Sequence, residues 1–301
     1  MLNTPFAFIS EEVDTGFDPT LGGSVTPYFW YDFTDSGSMA FSASKVIEID
    51  SKGSNTGSLA RGTGTKYTTN WIGPEFDAIN GYTVFSGSVT TNSALARRYG
   101  SGNPSADEGA ANGDNNTALI FFQADWDGTS NFYRLANWKG YNTTYSQPEE
   151  WSIAAVNNNF TYPGTTYYAA TSPSSTINSI VSQKYFPNVS IYYSYSGSGL
   201  VNADGIGPWN SWFARLSGTG NTYNAGRTTT EDFSYGGSLS NGSNAIHENL
   251  CLGARSKTDE YGGPQFKIRH FLFYDSALTD TQIELLITDY KNNYAGDNLN
   301  P

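Results

Sequence analysis

The stretch FKIRHFLFYDSALTDTQIELLITDY, residues 266–290, places a strand and a helix end to end, and the reading of the fold starts from it. Residues 266–274 open as an alternating strand, Phe266 and Ile268 against Lys267 and Arg269, and turn fully apolar from Phe271 to Tyr274. A Thr-x-x-Gln capping box at Thr279 and Gln282 then predicts a helix start. Ile283, Leu286, Ile287, Tyr290 and Tyr294 recur at helical spacing on one face, and Asp280 sits at the positive amino end. Gly296 supplies a stop.

Working outward, residues 249–255 (NLCLGAR) read as a short strand before the closing pair. At the other end TPYFWYDF from Thr26 is a dense aromatic strand, and VIEID, residues 46–50, follows a Gly/Ser turn. GPEFDAINGYTVFSGS reads as a loop and a short strand. Between Thr117 and Trp138 two apolar runs flank Asp127-Gly128, which predicts a hairpin. Short strand-like pieces at 189–196 and 211–217 lie among Gly, Asn, Ser and Thr in the middle of the chain, where long surface loops are expected rather than a second domain. Residues 1–24 show no convincing period and are expected to form an extended N-terminal arm, with one domain over 25–301.

Composition agrees with an all-β chain of 301 residues. Aromatics make up 15%, with 21 Tyr, 18 Phe and 7 Trp, and 32 Gly supply turns between short strands. The net charge of −12 repels phosphate backbones, so nucleic acid is not an expected partner. Cys251 is the single cysteine, which excludes an intrachain disulfide, and its leucine neighbours make it a small core residue. The amino end lacks the pattern of a signal peptide, so synthesis in a cytoplasm is expected, and no apolar run approaches the roughly 20 residues of a membrane span.

The segment LCLGARSKTDEYGGPQFKIRHFLFYDSALTDTQIELLITDYKNNY resembles the closing part of the concanavalin A-like lectin/glucanase superfamily, especially its laminin-G-like branch. Leu252-Gly253-Ala254, Gly262-Gly263, Ile268, Phe273-Tyr274, Ala277-Leu278 and Gln282-Ile283 fill the places of that branch's strand, turn, strand and helix start. The front, PYFWYDFTDSGSMAFSASKVIEIDSKGSNTGSL, is similar to the family's opening, with Asp50 at its turn aspartate. The resemblance covers both ends of residues 26–295 and implies an antiparallel two-sheet jelly-roll sandwich whose first and last strands join. Domains of this variety recur in the structural proteins of tailed bacteriophages. That setting implies a non-enzymatic virion surface protein, made in the host cytoplasm: a capsid decoration or a head or tail fibre component. Its partners would be capsid or tail proteins of the same virion, reached through the arm, and cell-surface glycans. A symmetric homotrimer suits such an addition. A free-standing carbohydrate-binding lectin is the alternative, and a glycoside hydrolase the third reading.

The hydrolase reading turns on Glu48-x-Asp50, two carboxylates that an extended chain projects to one face. Laminarinase-type enzymes add a third acid two or three residues beyond the aspartate, where this chain has Lys52 and Gly53. Retaining chemistry needs two carboxyl groups about 5 Å apart, so no catalytic residue is assigned. Trp209, Asn210 and Trp212, with Tyr223, are the candidate sugar-binding residues: indole faces meet the apolar side of a pyranose and amides its hydroxyls. The competing reading makes one indole core and the other a loop cover. Asp125, Asp127 and Asn131 alternate like the oxygen ligands of a Ca²⁺ loop, although a hairpin tip explains the same letters and the completing Glu is missing. Asn112-Gly-Asp114-Asn-Asn116 and Asn202-Ala-Asp204-Gly read as plain turns. His247 and His270 have no metal-binding spacing, and His270 is expected to be a satisfied, partly buried strand residue.

Overall fold

A computed structural model describes residues 16–61, 70–86, 91–97, 111–112, 115–124, 132–142, 147–156, 179–185, 190–196, 208–217, 222–230, 233–236, 245–253, 266–297 and 299; in several of its strands only the backbone register is described. The opening strand Phe29–Asp32 pairs antiparallel with the closing strand Phe266–Tyr274, Phe29 opposite Phe273 and Asp32 opposite His270. The expected joining of the first and last aromatic segments is present. From this seam an antiparallel sheet runs in two directions. One limb carries the closing strand to Asn116–Ala124, then Asn210–Ser217, Thr222–Gly226 and Phe233–Gly236. The other passes through Tyr82–Phe85, Glu75–Asp77, Lys45–Ile49, Leu59–Arg61 and Leu95–Arg97. It continues through Ala245–Leu252, Phe132–Asn142, Gln147–Val156, Ser179–Tyr185 and Ser190–Ser196.

The sheet curls so that both limbs enclose one apolar core. Phe29, Tyr31, Val46, Ile49, Leu59 and Leu95 meet Ile120, Trp212 and Phe271 in it, together with Ile153 and Leu252 from the second limb. The first limb is covered on its other face as well. There Leu119, Phe121, Phe213, Leu272 and Tyr274 pack against Ile283, Leu286, Ile287 and Tyr290 of the helix Asp280–Asn293, the one α-helix among the described residues. The apolar run Ala118–Phe122 is therefore buried from end to end, as a strand with two covered faces requires.

The helix owes little to propensity, because Thr, Ile, Asp and Asn fill much of it. Its capping box at Thr279 and Gln282 is complete, and its four buried side chains contribute about 1.5–3 kcal/mol each against the sheet.

Two expectations change. Asn116–Ala124 and Phe132–Asn142, expected to form a hairpin, do not pair with each other: their partners lie in different limbs, and the Asp127-Gly128 turn itself lies outside the described residues. Asp-Gly is a local turn signal, whereas both partners of Asn116–Ala124 are distant in the chain and decided by burial. Residues 16–25 are likewise not a free arm. Phe17 packs edge-on against Phe121 and Tyr290, the Asp18 amide donates to Asp289 at 2.7 Å, and Tyr274 donates to the Pro19 carbonyl at 2.8 Å. The folded domain begins at or before Gly16, and residues 1–15 lie outside the described residues.

GPEFDAINGYTVFSGS also proves richer than a loop and one strand, since Glu75–Asp77 and Tyr82–Phe85 pair as a hairpin. Its tip is organised by Asp77, whose carboxylate accepts from the amides of Ile79 and Asn80 and from the Asn80 side chain.

Close approach rather than dihedral freedom fixes Gly53. A Cβ there would lie 2.5 Å from the Tyr28 carbonyl oxygen and 2.8 Å from that of Pro27, both backbone atoms of the segment leading into the opening strand. The bonds Ser54 N to Pro27 O and Asn55 N to Tyr28 O hold the two segments together at 2.9 Å. Gly53→Ala is expected to cost about 2 kcal/mol, within the range for overpacking, measured as a lower denaturant midpoint at unchanged slope. An unchanged midpoint would show that the segment yields freely.

Candidate functional site

The closing strand contains a local irregularity from which the most connected polar cluster of the described residues is built. Phe121 faces His270 but Phe122 faces Ile268, so Arg269 is the extra residue of a bulge. The bulge shifts the inward phase: Phe266 and Ile268 point into the enclosed core, and after it Phe271 and Phe273 do. Arg269 and His270 meet the aromatic side chains of the helix end.

Arg269 donates to Asp297 from both Nε and Nη2 at 2.7 Å, to the Asn80 carbonyl at 2.7 Å, and to the Gly81 carbonyl. Its guanidinium also lies over the rings of Trp209, at 4.8 Å, and Tyr294, at 4.7 Å. Tyr290 donates to the same Asp297 at 2.6 Å. One cation thus ties the closing strand, the 77–81 turn and the end of the helix.

His270, 1% exposed, has Nδ1 3.3 Å from Asp32 Oδ1 and Nε2 2.9 Å from the Tyr294 hydroxyl. The Trp30 indole donates to Nδ1 at 3.5 Å, and the tautomer sets which of Nε2 and the Tyr294 hydroxyl donates to the other. Phe17 lies over the imidazole with centroids 4.6 Å apart. Burial depresses the pKa of His270 to about 4, with Arg269 and Lys52 adding to the depression and Asp32 opposing it, so the ring is neutral at pH 7. Burial works against the charge of Asp32, but His270, Lys52 and Thr34 outweigh it and hold the carboxyl below its ordinary value. Lys52 Nζ sits 2.6 Å from Asp32 and 2.7 Å from Asp35, and 5.1 Å above the Trp30 ring. Burial raises the pKa of Tyr294 to about 12.

An Asp–His–Tyr set of this kind can relay a proton only if one member meets a substrate. Its central member is enclosed by Phe17, Phe121, Tyr290 and Tyr294, so the cluster acts as a strut joining the opening strand, the closing strand and the helix. The signal for it in the sequence was faint: Asp32 ends an aromatic strand and His270 interrupts an apolar one.

The acids considered for hydrolysis are placed as follows. Glu48 accepts from the Ser58 hydroxyl at 2.7 Å, and Asp50 is exposed beyond the strand end at Ile49. Ile47 is the extra residue of a second bulge, which lets Val46 and Ile49 both turn inward. The two positions for a third acid hold the Lys52 ammonium, neutralised by Asp32 and Asp35, and Gly53, where no side chain fits.

The sugar-binding candidates separate. Trp209 and Trp212 are three apart on an extended segment and therefore point to opposite sides of the sheet. Trp209, 5% exposed, belongs to the cluster under the helix, whereas Trp212, 1% exposed, belongs to the enclosed core. Asn210 is also 1% exposed, with its amide donating to the Pro208 carbonyl at 2.8 Å. These three residues form no open platform. Tyr223 pairs through its backbone with Leu216 and Tyr235, and its side chain lies outside the described residues. Asp125, Asp127 and Asn131 lie outside them too. Among the described residues, no three His, Cys, Asp or Glu gather as metal ligands, and no helix is long and apolar enough to cross a membrane.

No protein-family model and no curated protein sequence matches the chain. Solved structures do. The chain is similar to a botulinum neurotoxin type C structure concerned with interaction with two ganglioside molecules, at TM-score 0.55 and 9% identity, over 88% of this chain and 51% of that one. A botulinum neurotoxin serotype D binding domain matches at TM-score 0.54 and 10% identity, over 90% and 53%. The binding domain of botulinum neurotoxin DC in complex with SialylT matches at TM-score 0.53 and 10% identity, over 88% and 52%. The chain spans about half the length of these structures, and at such identity the likeness concerns the fold alone.

A depressed histidine pKa sets a pH window. The unfolded chain takes up a proton near the ordinary value of 6.5 that the folded chain refuses until about 4. Stability is then full above about 6.5 and falls as the pH drops toward 4, by about 1.4 kcal/mol for each unit of depression. Asp32 adds a separate loss below its ordinary 3.8. Urea midpoints between pH 7 and 4 are expected to fall for the wild type and to flatten for His270→Gln; equal slopes would remove the assignment.

Proposed function

We propose that the chain is a non-enzymatic adhesion domain that binds carbohydrate, with the jelly-roll sandwich of the concanavalin A-like superfamily as its architecture. The observation that carries this reading is the shared fold with neurotoxin binding domains described with gangliosides and with SialylT, over nearly nine-tenths of this chain. The non-enzymatic part is supported by the acids themselves. Glu48 is held by Ser58, Asp32 and Asp35 are consumed by Lys52, and Asp297 is consumed by Arg269.

The fuller reading places the domain on a virion surface, as a capsid decoration or fibre component docked through its N-terminal segment. It is supported by the resemblance to laminin-G-like domains of tailed bacteriophage structural proteins and by the acidic, Tyr- and Asn-rich composition that suits an adaptable contact surface. With residues 16–25 seated on the domain, the docking segment shortens to residues 1–15, and the partner is a capsid or tail protein of the same particle. Calcium at Asp125, Asp127 and Asn131, a homotrimer, and a contribution of Tyr223 to sugar binding belong to this reading.

Two measurements decide between the classes. A glycan array carrying sialylated and neutral oligosaccharides is expected to give binding that survives Glu48→Gln, whereas an array without hits would remove the lectin reading. Release of reducing sugar that Glu48→Gln abolishes would instead establish a hydrolase. For the virion reading, deletion of residues 1–15 is expected to abolish association with purified particles while leaving the melting temperature within a few degrees. Undiminished association would sink the docking role.

A further inference from the structure

Asn210 and Trp212 have one more property, which concerns what lies between the two limbs of the sheet. Asn210 is opposite Phe122 and Trp212 opposite Ile120, and both of those partners point into the enclosed core. The two side chains therefore project to the same, inner face, two residues apart on one strand. Each carries a fully buried polar atom without a hydrogen-bond partner: Oδ1 of Asn210 and Nε1 of Trp212. The orientation of the Asn210 amide is fixed independently, because its nitrogen donates to the Pro208 carbonyl at 2.8 Å and so leaves the oxygen as the orphan.

The chemistry of the pair is selective. Asn210 offers an acceptor and Trp212 a donor, so a cation would answer only the amide and an anion only the indole. A neutral hydroxyl answers both, accepting from the indole and donating to the amide. Both residues are 1% exposed, so whatever group answers these atoms is enclosed with them. A buried polar atom left unpaired forfeits its hydration with nothing in return, a penalty native interiors avoid by enclosing water at polar sites. We propose that Asn210 Oδ1 and Trp212 Nε1 form an internal hydroxyl-binding site, occupied in the free protein by one long-lived water. The Asn210 and Trp212 pair then serves hydration of the interior, not a sugar-stacking surface.

The indole hydrogen of Trp212 reports on the site directly. In ¹⁵N-edited spectra that detect contact with water, its resonance is expected to show a cross-peak of the sign given by bound, slowly exchanging water. In Asn210→Leu, which removes the amide at similar volume, the peak is expected to weaken severalfold or vanish. A wild-type protein without that cross-peak, or a variant that retains it at full intensity, overturns the proposal. If the variant does not fold, a crystal structure of the unaltered chain decides: one ordered oxygen within about 3.2 Å of both atoms is expected, and its absence sinks the assignment.

Discussion

The fold rests on burial of the closing strand from both sides. Phe271 and Phe273 face the enclosed core while Leu272 and Tyr274 face the helix and the 16–25 segment, so one stretch of backbone serves two apolar clusters. A strand in that position must be paired along its length, since an unpaired buried amide has no water to turn to. Asn116–Ala124 lies along one edge, and Phe29–Asp32 with Tyr82–Phe85 shares the other. Where those two meet, the Arg269 carbonyl accepts from the Phe33 amide at 2.7 Å, in register with the opening strand, while on the opposite edge the ladder to Asn116–Ala124 slips by one residue at Arg269.

That slip explains why polar groups collect beside so much aromatic surface. A bulge places two successive side chains, Arg269 and His270, where a regular strand would offer one. A guanidinium and an imidazole side by side under a helix end are tolerable only with anions and acceptors at hand. Asp297, Asp32, the Asn80 carbonyl and the Tyr294 hydroxyl supply them. Removing one member would strand another, which is how buried polar clusters specify an arrangement instead of merely adding stability.

How far the sequence discloses this follows from the range of each signal. The capping box, the apolar face at Ile283, Leu286, Ile287 and Tyr290, and the aromatic opening strand are encoded within a few residues, and each stands where expected. The Asp127-Gly128 hairpin was a local inference about a strand, Asn116–Ala124, whose partners lie some 90 and 150 residues further along, and it failed for that reason. The separation of Trp209 from Trp212 was within reach, because odd spacing on a strand means opposite faces. The bulge was not: it depends on register against Phe121 and Phe122, which composition does not reveal. For the site, the sequence put Lys52 and Gly53 where a third acid would stand but gave no hint that Asp32 would be Lys52's partner.

Phe17 and Leu299 pack in the same apolar cluster, and the backbone at Asp18 is bonded to the helix at Asp289. The two boundaries of the folded unit are consequently neighbours on the helix-covered flank. A polypeptide so arranged tolerates being spliced into a host loop, or having its boundaries joined and reopened elsewhere, with little distortion. Tethers attached at either boundary would therefore emerge from the same helix-covered flank.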